Sequence, residues 1–529
     1  MLGCDQHAET ADGRRGYQRR QSGKSALYRI IDGHYEAVLA QAQEHGAGYP
    51  AFVCKEFERY LLCGRLCGGF SRLVCKACGY NHLLAFSCKG RLCPSCANRR
   101  MEQTALFLTA RVLPKVPYRQ WTLSLPWRIR WAVATKPKLL SAALAVMQRR
   151  IFAWQRRAAR AAGIGDPLCG SVTFVQRFDC QLRLYPHFHT IVPDGVFSRT
   201  DDGTLAFTAL PPPSDSEVAK LVLQIGRRIE ELVTLGTDEA VDDEQADALQ
   251  LSLVEAAQPL HRSRFRPPEA DALSRQRPRC AQLDGYSLHA DVAVADHDRR
   301  GLQRLLRYGA RPPLAASRVS WSAADGKVVY KLRKPTAAGR TELRMTPQQF
   351  IGRLAALTPP PWLHAIRFHG VFASASAHRR AVAQTVAAEQ DPHDDPFACR
   401  PLSRGDVTDA QVADPDAPVA EAAMAPPPHI RIAWSELLRR SFGDPLVCPR
   451  CQGRMRLIAV IKDPKTIAAI LAHPAHRDDH PHSGLDPPQL GSEANPSYSP
   501  RSEPLGERER SDRQLHLDLQ AQLEPFGPA

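Results

Sequence analysis

Acidic side chains are in deficit: 55 Asp and Glu stand against 70 Lys and Arg, so the 529-residue chain has a formal net charge of +15. That excludes an acidic, solvating composition and points to a polyanionic partner. The sequence has no amphipathic anchor, so nucleic acid fits better than a membrane surface. No stretch approaches the roughly 18 uninterrupted apolar residues of a membrane span. No apolar segment follows the N-terminal Arg14, Arg15, Arg19 and Arg20, and a secretory signal is therefore not expected. A Walker-type Gly-rich loop closed by Lys is missing too, which argues against ATP-driven chemistry. These absences place the chain in the cytoplasm, where its 15 cysteines stay reduced and serve metals rather than disulfides. A hydrophobic content of 43% and this length suffice for two or three domains.

What is present begins with those cysteines, which crowd into one region: Cys54, Cys63, Cys67, Cys75, Cys78, Cys88, Cys93 and Cys96. Within it, Cys75-x2-Cys78 and Cys93-x2-Cys96 are two knuckles separated by 14 residues. Each knuckle turns the backbone so that two thiolates converge, and two knuckles complete a tetrahedron around structural zinc. Cys63, Cys67 and Cys88 are spare ligands for that site or the start of a second. Nearby Lys76, Lys89, Arg91, Arg99 and Arg100 suit DNA phosphates, with Lys89 and Arg91 the chosen contacts.

Along the chain, a flexible basic arm (1–24) precedes a helical and zinc-binding domain (25–115). The body, 116–375, mixes strands and helices in an α+β pattern. Tyr118–Leu125 alternates as a strand stopped by Pro126, and helical patterns run over about 137–162 and 214–235. A stretch over roughly 236–281 reads as irregular. Asp325-Gly326 joins two alternating segments as a hairpin, and Thr346-Pro347-Gln348-Gln349 is a capping box opening a helix. A Pro/Ala-rich linker (376–428) leads to a small C-terminal module (429–473) whose single knuckle, Cys448-x2-Cys451, is half a zinc site. The tail, 474–529, reads as disordered.

Chemistry concentrates in Pro186-His187-Phe188-His189. Alternation along a strand puts His187 and His189 on one face, here read as an open surface, with Phe188 and Val192 in the core behind. Two neutral imidazoles roughly 7 Å apart at Cβ can chelate one divalent ion, which polarises a phosphoryl or carbonyl oxygen. A further strand over 287–294 offers His289 as a third ligand, with Asp291 as substitute, facing away from Leu288, Ala290, Val292 and Val294. Asp296 or Asp298 then caps a short helix. On it Tyr308, flanked by Arg307 and Arg311, lies at the edge of the Leu302, Leu305 and Leu306 stripe.

Several of these runs occur together in one known family. Cys75-Lys76-Ala77-Cys78-Gly79, Phe86-Ser87-Cys88-Lys89 and Cys93-Pro94-Ser95-Cys96 resemble the zinc-binding region of the insertion sequence 91 family of bacterial transposases. So do Arg119–Pro126, His187-Phe188-His189 with Asp194-Gly195-Val196, Asp284–Ala290, and Arg367-Phe368-His369-Gly370-Val371. Arg307-Tyr308 followed by Arg311-Pro312-Pro313-Leu314-Ala315 looks like the family's catalytic tyrosine segment. The resemblance covers residues 30–375 and, weakly, 429–473. It implies an HUH-type single-strand nuclease domain over 116–375, a ferredoxin-like antiparallel sheet with helices on one face. His187 and His189 would hold Mg²⁺ or Mn²⁺ against single-stranded DNA, and Tyr308 would attack to leave a 5′-phosphotyrosine link. Arg307 and Arg311 would bind the DNA, at element ends and target. Arg304 stands where founding members carry a second tyrosine, so the chain resembles the single-tyrosine subgroup. A rolling-circle replication initiator or relaxase would use the same chemistry, and a decayed, non-catalytic zinc-dependent DNA-binding protein is the alternative of another class.

Overall fold

The structure, a computed structural model, describes residues 22–44, 48–201, 203–235, 274–336, 339–361, 363–379, 381–382 and 444–473. Most of the expected arm, linker and tail, and the helix expected just before Cys448, therefore lie outside the described residues.

Apolar residues at helical spacing form α1 (Ala26–Glu44) and α2 (Ala51–Leu61). Two short strands follow, β1 (Phe70–Cys75) and β2 (Asn81–Ala85). Helix α3 (Pro94–Arg111) starts inside the second knuckle, with Pro94 in its first turn where a missing N–H costs nothing. Next come β3 (Tyr118–Ser124), α4 (Trp127–Thr135), α5 (Pro137–Ala161), β4 (Gly170–Phe178) and β5 (Leu184–Pro193). The hairpin β6 (Gly195–Arg199) and β7 (Leu205–Ala209) leads to α6 (Asp215–Leu235). Strands β8 (Ser274–Arg277) and β9 (Cys280–Leu283) correct the expectation of irregular chain up to 281. Then β10 (Tyr286–Val294) precedes α7 (Arg299–Ala310), and β11 (Val319–Ser322) and β12 (Lys327–Lys331) form the hairpin read from Asp325-Gly326. After β13 (Glu342–Met345), Thr346 and Gln349 make the reciprocal capping box at the start of α8 (Pro347–Leu357). Strand β14 (Ile366–Gly370) closes the body, and β15 (Met455–Ile461) with α9 (Pro464–Ala472) follows the C-terminal knuckle.

Seven strands form one antiparallel sheet in the order β14-β4-β5-β3-β10-β9-β8. At its centre, β3, α5, β4, β5, α6 and β10 make a β-α-β-β-α-β unit whose first strand lies between its third and fourth. On one face, Trp121, Leu123, Phe188, Val192 and Leu288 pack with α4, α5 and α6. The other face is covered as well, which corrects the expectation of helices on one side only. There Tyr118, Val172, Phe174 and Ile191 pack against Ala105 and Leu108 of α3 and Leu302 and Leu306 of α7. The reason is legible along β5: His187, His189 and Ile191 share that face, and the apolar end of the row needs a cover. Burying each leucine fully contributes about 2 kcal/mol.

A bidentate pair locks the sheet at the far end of β5. Arg119 donates to both carboxylate oxygens of Asp194 at 2.8 and 2.7 Å, and to the Ala290 carbonyl on β10. A second core joins α1, α2 and α8 to the β11–β13 sheet, and the third sheet runs β15-β1-β2. Among the described residues no helix is long and apolar enough to cross a membrane.

Candidate functional site

Strand β5 lies inside the sheet between β4 and β3, so His187 and His189 occupy its middle rather than an edge. Their ring centroids are 4.8 Å apart. The open surface expected for them is not found: His187 is 8% and His189 4% exposed, with Tyr308 of α7 against His189 and Tyr185 against His187. His187 Nδ1 lies 2.8 Å from the Tyr185 carbonyl oxygen. A carbonyl only accepts, so Nδ1 carries the proton and Nε2 keeps a lone pair. His189 Nδ1 is 3.1 Å from Gln120 Nε2 and from Thr122 Oγ1, while its buried Nε2 has no partner. Burial pushes the His187 imidazolium down from 6.5 to about 4 against the opposing pull of the Tyr185 carbonyl, and Arg311 adds to the fall. Burial, then the neighbouring His187 and Arg311, hold His189 well below 6.5. Both rings are therefore neutral at physiological pH, the form that donates to a metal. A divalent cation fits this pair: two neutral imidazoles side by side, one with an orphaned buried nitrogen.

Tyr308 reaches the same place from α7. Its ring meets His189 edge-on with centroids 5.3 Å apart, and the residue is 40% exposed. Three features hold the helix there. Asp298 caps it by accepting from Gly301 N at 2.7 Å. Gln176 on β4 donates to the carbonyls of Tyr308 and Gly309 at 2.8 and 2.7 Å, satisfying two acceptors that a helix end leaves free. Gly309 lies flush on the sheet, where an added Cβ would stand 2.5 Å from the buried Phe174 ring. Gly309→Ala should therefore lift the end of α7 and move Tyr308. Misplacement by about 1 Å can cost 10²-fold in rate, so phenol-dependent chemistry should fall at least about tenfold while the thermal transition moves little. A variant as fast as wild type would detach the helix seat from the site.

On the other side of His187 stands Tyr185, with ring centroids 5.4 Å apart and the Arg130 guanidinium 3.7 Å from the phenol ring centroid. Arg311 lies 4.7 Å from the Tyr308 ring centroid. His289 does not close the set. It is in register with Thr122, which is in register with His189, putting it two strands away, about 10 Å at Cα. Among the described residues no third His, Cys, Asp or Glu converges with His187 and His189. Asp291 is paired with Arg279 at 2.8 Å. A bulge in β10 between His289 and Val292 also breaks the expected alternation and leaves Val292 exposed.

The cysteines form two quartets, Cys63/Cys88/Cys93/Cys96 and Cys75/Cys78/Cys448/Cys451. This corrects the single site expected from Cys75, Cys78, Cys93 and Cys96, whose two knuckles go to different quartets. In the first quartet the Sγ separations are 3.6 Å (Cys63–Cys96), 3.7 Å (Cys63–Cys93) and 3.5 Å (Cys88–Cys96). Disulfide sulfurs lie about 2.05 Å apart, whereas four thiolates about 2.3 Å from one zinc lie about 3.8 Å from each other. The donor set fits zinc.

Residues 30–125 match the family model described as "Transposase zinc-binding domain", and residues 170–380 match the one described as "Putative transposase". Both models describe transposases, so the chain is similar to transposases of the insertion sequence 91 type over these two stretches. No curated protein and no solved structure matches it. The first quartet falls inside the zinc-binding match, and His187, His189, His289 and Tyr308 fall inside the other.

The basic residues read as DNA contacts fare unequally. Arg311 stands beside Tyr308. Arg307 donates to Glu102 at 2.7 Å, tying α7 to α3. Lys89 has a positive φ of 52°, and its carbonyl accepts from Arg100. Arg91 turns inward, donating to the carbonyls of Pro360 and Leu363. Arg304 faces Asp298 at 3.6 Å. Sequence reasoning missed Gln176, Gln120 and Tyr185 at the site. Tyr185 alone carried a signal, the same period of two that aligned the histidines.

Proposed function

We propose that the chain is a transposase that cleaves and rejoins single-stranded DNA at element ends and target through a 5′-phosphotyrosine intermediate, as an HUH-type single-tyrosine nuclease acting in the bacterial cytoplasm and nucleoid. The observation that carries the reading is the edge-on approach of Tyr308 to His189, with His187 alongside, from a helix that begins more than 100 positions further along the chain. The strand order of the β-α-β-β-α-β unit supports a ferredoxin-like sheet, with α5 and α6 behind it and the histidines in front.

In this reading Tyr308 Oη attacks the scissile phosphorus. The bond to the 3′-oxygen breaks, the phenol's proton ends on that oxygen, and a Tyr–O–P link to the 5′-side forms. Mg²⁺ or Mn²⁺ on His187 and His189 would supply Lewis-acid polarisation of the phosphoryl oxygens. Arg311 adds fixed positive charge beside the phenol, and α7 holds the attacking group in place so that little orientational entropy is lost on reaction. Rejoining is the same step reversed by a 3′-hydroxyl, and one phosphoester replaces another, so no ATP is needed. The cysteine-rich head, 25–115, would present the DNA to the nuclease body, 116–375.

The test uses single-stranded oligonucleotides from the element ends with Mn²⁺, resolved on a denaturing gel. A covalent protein–DNA adduct is expected, and it should vanish in His187→Ala. Binding without adduct for every oligonucleotide would make the chain a non-catalytic DNA-binding protein.

A further inference from the structure

The second cysteine quartet reaches beyond the zinc-binding match. The zinc-binding family match ends at residue 125, and half of this quartet comes from Cys448 and Cys451. We propose that Cys75, Cys78, Cys448 and Cys451 bind a second structural zinc that fastens the C-terminal segment 444–473 onto the N-terminal head, so that the head is built from two distant parts of the chain.

The geometry is that of two matched knuckles. Cys75 Sγ lies 3.4 Å from Cys451 Sγ, and Cys78 Sγ lies 3.7 Å from Cys448 Sγ, across 376 and 370 positions of sequence. In each knuckle the residue after the second cysteine donates its N–H to the carbonyl of the first: Gly79 to Cys75 at 3.1 Å, Gln452 to Cys448 at 2.9 Å. Both donors have left-handed backbones, φ 69° for Gly79 and 60° for Gln452. Glutamine adopts that conformation only where something overrides its cost. Two identical turns facing each other, one of them strained, is what four-thiolate coordination would impose.

The packing around the quartet points the same way. Strand β15 adds to the edge of β1 from Phe70↔Ile461 to Cys75↔Met455, and Lys76 N continues the ladder to Arg454 O at 3.3 Å. Leu73, Leu84 and Met455 close over Cys75 and Cys448. Ile467 and Leu471 of α9 reach Leu66, Phe70 and Leu83. A three-stranded sheet with so small an apolar face is marginal by itself, and small units of this kind ordinarily need a metal or a disulfide. Oxidised pairing is not the alternative here, since all four thiols are free. The inference does not depend on the DNA-cleavage reading, because the quartet belongs to the β15-β1-β2 sheet and the histidines to the seven-stranded one.

The test uses the full-length protein purified without chelator. Wild type should hold two zinc equivalents. Cys448→Ser/Cys451→Ser and Cys75→Ser/Cys78→Ser should each hold one, and the fourfold variant also one, because both pairs serve a single ion. Two equivalents in Cys448→Ser/Cys451→Ser, or fewer in the fourfold variant than in either double variant, would overturn the shared site. Amide exchange supplies a second readout: in Cys75→Ser/Cys78→Ser, amides 455–461 should exchange at least tenfold faster, while those of β5 stay protected. Unchanged protection of 455–461 would mean that zinc does not fasten the segment. If the serine variants do not fold, Cys448→His keeps four ligands. With cobalt(II) in place of zinc, its visible bands should shift for one of the two ions, and an unchanged spectrum would exclude Cys448 as a ligand.

Discussion

Tyr308→Phe is expected to abolish the covalent protein–DNA adduct, a loss of about 10⁴-fold or more of the kind seen when a nucleophile is removed, while single-strand binding stays within about twofold. The substitution deletes one oxygen and leaves the ring, its edge-on contact with His189 and its contact with Arg311 in place. Affinity set by phosphate neutralisation should therefore keep its magnitude and its steep salt dependence. Other phenols are poor substitutes. Tyr286 is fully buried and donates its hydroxyl to Glu230 at 2.9 Å, and burial with the adjacent carboxylate pushes its ionisation up. Tyr330 is buried and raised by desolvation too. Among the described residues, Tyr185 is the competitor with a position at the imidazole pair. Adduct that survives in Tyr308→Phe and disappears on adding Tyr185→Phe would move the nucleophile to strand β5 and end the present assignment.

The second large effect is on stability. Cys93→Ser should release one zinc and lower the unfolding free energy of the head by several kcal/mol, since structural zinc contributes on the order of 10 kcal/mol and a whole domain is held by only about 5–15 kcal/mol. Cys93 is fully buried at the start of α3, with its thiol 3.7 Å from that of Cys63 at the end of α2. Cys88 and Cys96 complete the group within the core shared by α1, α2 and α8. Removing the ion would leave the remaining cysteines converging in a mostly apolar setting, where their sulfurs must take up protons and lose the coordination that joined α2 to α3. Urea unfolding followed by circular dichroism, with zinc measured on the same sample, reads both consequences. A wild-type midpoint after zinc has gone would show that packing alone holds these helices.

How far the sequence carried the reading depended on how local each feature is. The capping box at Thr346, the Asp325-Gly326 hairpin and the caps of α7 and α8 are settled within a few residues, where a side chain meets its own backbone. The shared face of His187 and His189 follows from the period of two, and the placement of Tyr308 beside the helix's apolar stripe follows from the period of 3.6. Knuckle spacing identified Cys75, Cys78, Cys93 and Cys96 as metal ligands in kind but not in grouping. A knuckle specifies that two thiolates converge and carries no information about which other pair they will meet.

By itself, then, the sequence determined the basic character of the chain, the α+β pattern, the thiolate pairs and the common face of the two histidines. Each of these rests on composition or on neighbours a few residues apart. Only the tertiary structure decided that Cys448 and Cys451 return to Cys75 and Cys78, that both imidazoles are buried with α7 bringing Tyr308 to His189, that His289 stays two strands away, and that Arg91 turns inward. Those outcomes depend on which apolar faces must cover one another, a balance struck over the whole chain and written in no single segment of it.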